Sequence, residues 1–213
     1  MTIVETLVRT REWQEVEDRH EISTFGMWVF LASEVMFFGG VLGAFLIYRA
    51  IHFDAFTAAS DHTNVPLGTL NTFVLIGSSL TMALAVAFSQ HGRARPQQIC
   101  LLLTAILGFV FLGVKGIEYA HKIEEGLMPG FHDRSHIPLG PEMKLFFSFY
   151  ITLTGIHAVH LIIGIGAILT LFARSLRRPY DSEYYTPVDV TGLYWHFVDL
   201  VWIFLFPFLY LIG

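Results

Sequence analysis

An all-α, polytopic membrane helix bundle is the fold class this sequence predicts, and three observations carry it. Hydrophobic residues make up 54% of the chain and charged ones only 15%, where a soluble domain carries about 25% charged residues. Mean hydropathy is +0.58. Five apolar runs are each long enough to cross a bilayer as a helix, which takes about 20 residues.

The chain divides into a polar N-terminal segment, residues 1–23, and a five-helix transmembrane domain, residues 24–213. The segment gathers Glu5, Glu12, Glu15, Glu17, Asp18 and Glu21, which explains much of the formal net charge of −5. It reads as a partly helical tail whose Trp13 and Val16 let one face rest on the membrane or on a partner. It is acidic and lacks the apolar h-region of a secretion signal. The spans follow in order at about 24–51, 69–90, 98–121, 143–172 and 191–212. The second carries no charge and holds Asn71, Thr72, Ser78, Ser79 and Thr81, small polar residues that let helices approach and hydrogen-bond across the contact. The turn His91–Pro96 makes the second and third spans antiparallel neighbours. The fourth is long enough to tilt or to project from the hydrocarbon. No extramembrane stretch has the length of a separate domain, and no repeat of fixed period is evident.

Basic residues set the expected orientation. Arg9, Arg11, Arg19, Arg93, Arg95, Arg174, Arg177 and Arg178 fall on one side, against Arg49, Lys122, Arg134 and Lys144 on the other. The N-terminus is therefore expected in the cytoplasm and the C-terminus outside. The loop from Lys122 to Pro141 then lies outside, and its His132, Asp133, Arg134 and His136 read as a solvated surface or as a docking surface for a soluble partner. Cys100 is the single cysteine, so an intrachain disulfide and a multi-thiolate metal site are excluded. No basic cluster points to nucleic acid.

The polar residues inside the spans carry what chemistry there is. Glu34 lies near the middle of the otherwise uncharged run Phe25–Tyr48. A carboxyl at that depth costs about 2.5 kcal/mol or more, so it faces protein rather than lipid, and the cost falls when it is neutral. Two readings stand: a neutral acid hydrogen-bonded between helices, or a proton-handling site. His157 and His160 are three apart and share a helix face, as interhelical hydrogen-bonders or as metal or haem ligands. Gly155, Gly164 and Gly166 beside them mark a closely packed face. On the fifth span His196 and Asp199 are also three apart, so that Asp199 is placed to orient His196 or share a proton with it. Trp195, four residues from Asp199, faces the same way and reads as an interfacial tryptophan. Lys115 and Glu118 form an expected ion pair at the outer end of the third span, direct or through Tyr119. By a rise of about 1.5 Å per residue, Glu34 lies about 15 Å from the cytoplasmic start of its helix and His160 about 21 Å from the cytoplasmic end of the fourth. Tilt of the long fourth helix brings the two within reach, a pairing expected for His160 rather than for His157.

Four stretches taken together resemble subunit III of the haem–copper respiratory oxidases: FGMWVFLASEVMFF (Phe25–Phe38), LNTFVLIGSSLTM (Leu70–Met82), Thr154–Gly164 and YWHFVDLVW (Tyr194–Trp202). They fall on four spans in the family's order, and the resemblance covers nearly everything after residue 20. It implies an α-helical membrane subunit that binds subunit I, with subunit II and small subunits as further partners. Such a chain carries no catalytic, cofactor or metal residue of its own, the haem and copper lying in partner subunits. It implies support of subunit I and of its proton uptake during aerobic electron transport and dioxygen reduction, with structural phospholipid bound. On this resemblance Glu34 matches the family's buried acid, His157 and His160 its histidine pair, and Trp195, His196 and Asp199 its last-helix motif, all structural rather than ligating.

The chain departs from the family's seven-helix mitochondrial form by starting where the third helix would stand. The lipid cleft of that form is then not completed within these residues: either another subunit supplies the two helices or the cleft opens elsewhere. This five-helix form points to a prokaryotic plasma membrane. The expected function is that of a non-catalytic subunit III of a terminal oxidase, taking electrons from cytochrome c, with a quinol oxidase or a nitric oxide reductase accessory subunit as alternatives. Of other classes, a haem b membrane anchor using His157, His160 or His196 remains open, whereas a proton-coupled carrier centred on Glu34 is disfavoured by the lack of an inverted repeat or broken helix.

Overall fold

The computed structural model describes residues 3–127, 140–178, 180 and 184–211, with side chains described from His20 onward. The molecule is all-helical there: α1 (Ile3–Ile51), α2 (Phe53–Ser60), α3 (Val65–Gln90), α4 (Ala94–Glu124), α5 (Pro141–Arg177) and α6 (Thr186–Phe206), the last continued by a π-helical segment, Pro207–Leu211. Five helices are long and apolar enough to cross a membrane: His20–Ile51 of α1, α3, α4, α5, and Thr186–Leu211. They correspond one for one to the five expected spans, each beginning or ending a few residues away. The backbone of residues 3–23, within the segment expected to be a partly helical tail, is helical and continuous with the first span. The side chains of Trp13 and Val16 lie outside the described ones, as do His132, Asp133, Arg134 and His136 of the connecting loop. Lys122 belongs to α4 rather than to that loop.

Helix ends follow local chemistry. The Asn64 side chain accepts from the Leu67 amide at 3.1 Å, and Pro66 sits in the first turn of α3, where its missing donor costs nothing. Gly92, with φ +66°, allows the sharp turn from α3 to α4, and Gly126, with φ +70°, ends α4. The short α2 was not foreseen. It returns Phe56 onto Phe45 of α1 and Phe146 of α5, with ring centroids 5.6 and 5.5 Å apart, and closes one end of the bundle.

In lipid the solvent is as apolar as leucine, so helices associate through close packing and interhelical hydrogen bonds rather than the hydrophobic effect. Here α6 is the centre: 61% of its most apolar window is buried, against 17% for α1 at the periphery. It packs on α1, α3 and α5, while α3 and α4 form the antiparallel pair expected from their short turn. Trp195 of α6 is fully buried and shows how the centre is built. Its ring lies where a Cβ on Gly108 of α4 or on Gly164 of α5 would approach it to 2.9 Å. Its indole donates to Ser78 Oγ of α3 at 3.1 Å. One side chain thus fixes the approach of three helices.

Candidate functional site

Among the described residues, three groups of polar side chains at the helix contacts include those expected from the sequence. The first joins α1 to α5. Glu34 Oε2 lies 3.1 Å from His160 Nε2, 126 residues away in the chain, and both side chains are mostly buried. The other ring nitrogen, Nδ1, lies 2.9 Å from the Ile156 carbonyl and so carries a proton. A neutral imidazole with Nδ1 protonated offers Nε2 as an acceptor. The contact therefore holds one proton between Oε2 and Nε2, either as carboxylic acid with imidazole or as carboxylate with imidazolium. Phe38 packs edge-on at a centroid distance of 5.2 Å, and the Tyr194 hydroxyl donates to the His160 carbonyl at 2.9 Å, so the pair is held from α1 and α6 as well.

His157 takes no part in this pair. It is 1% exposed, lies between Phe111 and Trp202 at centroid distances of 5.6 and 5.3 Å, and neither ring nitrogen has a hydrogen-bond partner. Spacing put the two histidines on one face, but the neighbours opposite them differ, α1 for His160 and the aromatic rings of α4 and α6 for His157. Of the glycines expected to mark a packed face, Gly164 does so, whereas Gly155 and Gly166 face open space.

The second group links α6 to α3. His196 Nδ1 lies 2.7 Å from Ser79 Oγ, and the Trp202 indole donates to Thr72 Oγ1 at 3.1 Å. With Trp195 on Ser78, three side chains of α6 land on hydroxyls of α3. Asp199 does not pair with His196, contrary to expectation from their spacing. The imidazole turns to Ser79, and both carboxyl oxygens of Asp199 are buried with no hydrogen-bond partner. Trp195 is a core residue rather than an interfacial one.

The third group, at the end of α4, was expected only as a pair. Lys115 Nζ donates to Glu118 Oε2 at 2.9 Å, to the Tyr150 hydroxyl at 2.9 Å and to the Tyr210 hydroxyl at 2.7 Å. The two tyrosines in turn donate to Glu118 Oε1 at 2.7 and 2.8 Å. Lys115 and Glu118 are 5% and 2% exposed, so this is a buried ion pair with all three ammonium donors used. Tyr119, the expected go-between, instead bonds Thr154 of α5. The lysine also lies near the rings of Tyr119, Tyr150, Trp202 and Tyr210, at 5.0–5.4 Å from their centroids. Sequence reasoning missed Tyr150 and Tyr210 because their separations from Glu118, 32 and 92 residues, carry no periodic signal.

Comparison with known proteins agrees with this architecture. The family model described as Cytochrome c oxidase subunit III matches residues 140–213, which hold α5 and α6. The chain is similar to a protein named "Probable quinol oxidase subunit 3" of Staphylococcus haemolyticus (strain JCSC1435), 28% identical over 193 residues, covering 91% of this chain and 90% of the relative. The same identity and coverage hold for the protein of that name in Staphylococcus aureus (strain USA300). The family match over α5 and α6, the relatives matched over nine-tenths of their length and the five membrane helices agree, and the chain is similar to the subunit III family of the haem–copper oxidases.

Proposed function

We propose that this chain is a non-catalytic subunit of a terminal oxidase that stabilises subunit I and supports its proton uptake, with haem and copper held by partner subunits. The Glu34–His160 contact carries the reading: a mostly buried acid–imidazole pair, 3.1 Å apart, shares one proton between two helices. Of the other charged groups inside the bundle, Lys115 and Glu118 satisfy each other with two tyrosines, as structural groups do. His157, His160 and His196 each face side chains rather than one another, which favours an accessory role over a haem b anchor. The proposed setting is a prokaryotic plasma membrane with the N-terminus in the cytoplasm, supported by the arginine asymmetry. Structural phospholipid is proposed for the apolar groove of about 610 Å³ between α1 and α6, lined by Trp28, Leu31, Val35, Met36, Leu193 and Phe197 among others.

The test is depletion of this chain from the purified complex. The expected result is an unchanged haem spectrum in the remaining subunits, slower proton uptake and a shorter catalytic lifetime. A Soret band on the isolated chain, or unaltered turnover and lifetime after depletion, overturns the reading. The electron donor has two readings. The family model's description names cytochrome c, whereas the relatives, matched over nine-tenths of their length, are named for quinol. Oxidation rates of reduced cytochrome c and of a short-chain quinol by the intact complex separate them.

A further inference from the structure

A cavity of about 410 Å³ opens between α3 and α6, its walls apolar except for Ser79, His196 and Asp199. Size and lining are those of a small-molecule site, where a few polar groups orient a mostly apolar ligand. Its apolar rim, Ile76, Leu80, Leu200 and Ile203, is exposed on the outside of the bundle.

The polar wall is ordered from the inside outward. Asp199 is buried, and among the described residues its oxygens meet no hydrogen-bond donor other than the Ser79 hydroxyl that faces them. Ser79 has one proton, and giving it to Asp199 leaves Oγ to accept from His196 Nδ1–H at 2.7 Å. The imidazole is then an acceptor at Nε2. That nitrogen has no partner among the described residues and, unlike both nitrogens of His157, is not enclosed.

Depth says what can reach it. The 26-residue span Thr186–Leu211 is about 39 Å long at about 1.5 Å per residue, against a hydrocarbon core of about 30 Å. With the helix centred on that core, His196 lies about 10 Å inside the hydrocarbon. Phospholipid headgroups stay at the interface, and acyl chains have no proton to donate. A ligand that meets Nε2 at this depth is a neutral molecule dissolved in the bilayer with a hydroxyl group among the acyl chains. We infer that the α3–α6 cavity binds the ring of an isoprenoid hydroquinone, one hydroxyl donating to His196 Nε2. The inference deepens the quinol reading of the electron donor and rests on it for the choice of hydroquinone among hydroxyl-bearing lipids. Binding alone is inferred, with no bond made or broken at this site.

The probe is a short-chain isoprenoid hydroquinone with a diazirine on its tail, photolysed anaerobically with the intact complex in nanodiscs. The expected adducts lie in the peptides Leu75–Ala83 or His196–Ile203 and are displaced by excess unlabelled hydroquinone. The dimethyl ether of the same ring has no hydroxyl proton and should compete about three- to tenfold less well, the loss of one hydrogen bond. His196→Phe keeps an aromatic ring and should lower labelling by a similar factor, with the haem spectrum reporting an intact complex. Adducts confined to other spans or other subunits, or adducts that unlabelled hydroquinone does not displace, overturn the inference. A dimethyl ether that competes equally, or labelling unmoved by His196→Phe, overturns it as well. Aerobic oxidation rates read the donor separately. Oxidation of cytochrome c but not of quinol, with displaceable adducts in these peptides, keeps the site and removes quinol as the donor. Quinol oxidation with no adduct here keeps the donor and overturns the site.

Discussion

Replacing Lys115 by methionine should destabilise the bundle by about 3 kcal/mol, because breaking a buried pair from one side leaves an uncompensated charge, at a typical cost of about 3–5 kcal/mol. The lower end applies here. Glu118 keeps the hydroxyls of Tyr150 at 2.7 Å and Tyr210 at 2.8 and 3.0 Å after the ammonium is gone. Glu118→Gln should cost a similar amount, since Lys115, at 5% exposure, would retain only hydroxyls and aromatic faces around its charge. The double variant Lys115→Met/Glu118→Gln removes both charges and should be more stable than either single variant by about 1–2 kcal/mol, as replacement of whole buried pairs often is. The assay is unfolding of the purified chain in mixed micelles of mild detergent and dodecyl sulfate, followed by tryptophan emission, with Trp202 only 5.3 Å from the lysine as a local reporter. Additive losses, with the double variant the least stable of the three, would refute the enclosed network and mean that water reaches one of the two groups.

Other outcomes follow from the same geometry. Gly164→Ala drives a methyl to 2.9 Å from the Trp195 ring and should cost about 1–3 kcal/mol, whereas Gly166→Ala meets open space and should be neutral or up to about 1 kcal/mol stabilising; the same micelle titration compares them. Replacing His160 by leucine should shift the carboxyl infrared band of Glu34, assigned by its loss in Glu34→Gln; an unmoved band means that the 3.1 Å contact is absent in solution. Ser78→Ala leaves the Trp195 indole without its acceptor and should lower stability by about 1–3 kcal/mol, more than Ser33→Ala, whose hydroxyl bonds only its own exposed helix. Outside the spans, burial pushes the Tyr180 phenol up. A folded-state value above the unfolded one means that its stabilising contribution is complete below the ordinary tyrosine range and is lost as pH rises through the folded value. Tyr180→Phe should therefore blunt the alkaline loss of stability, and an identical alkaline profile would show that the phenol is solvated.

What the sequence disclosed and what it hid divide along one physical line. Composition and run length settle where helices cross the bilayer, because the cost of unsatisfied backbone in lipid leaves few alternatives. Rise per residue places Glu34 and His160 about 6 Å apart in depth, a gap that tilt of the long fourth span can close. Spacing also tells which residues share a face, but not what stands opposite that face. His157 and His160 share a side yet meet different helices, and Asp199 shares one with His196 yet is left alone when the imidazole turns to Ser79. Tyr150 and Tyr210 carry no signal at all, since only the rotation of α5 and the π-turn at Pro207–Leu211 bring them to Glu118. The glycines make the same point: Gly108 and Gly164 matter because Trp195 lies across both, and nothing local to either predicts an indole.

The enclosed network at the end of α4 also has a history in time, because its members leave the ribosome far apart. Lys115 and Glu118 enter the membrane with α4, Tyr150 follows with α5, and Tyr210 comes with the final turn of the last helix. Until then the ion pair, near one end of α4, has only itself for company. Before α5 and α6 dock, α4 is apolar enough to cross the membrane by itself, but Glu118 lacks its two tyrosine donors. Chains stopped short of Tyr210 would expose that pair to lipid, a mark by which membrane quality control could tell an unfinished subunit from a finished one.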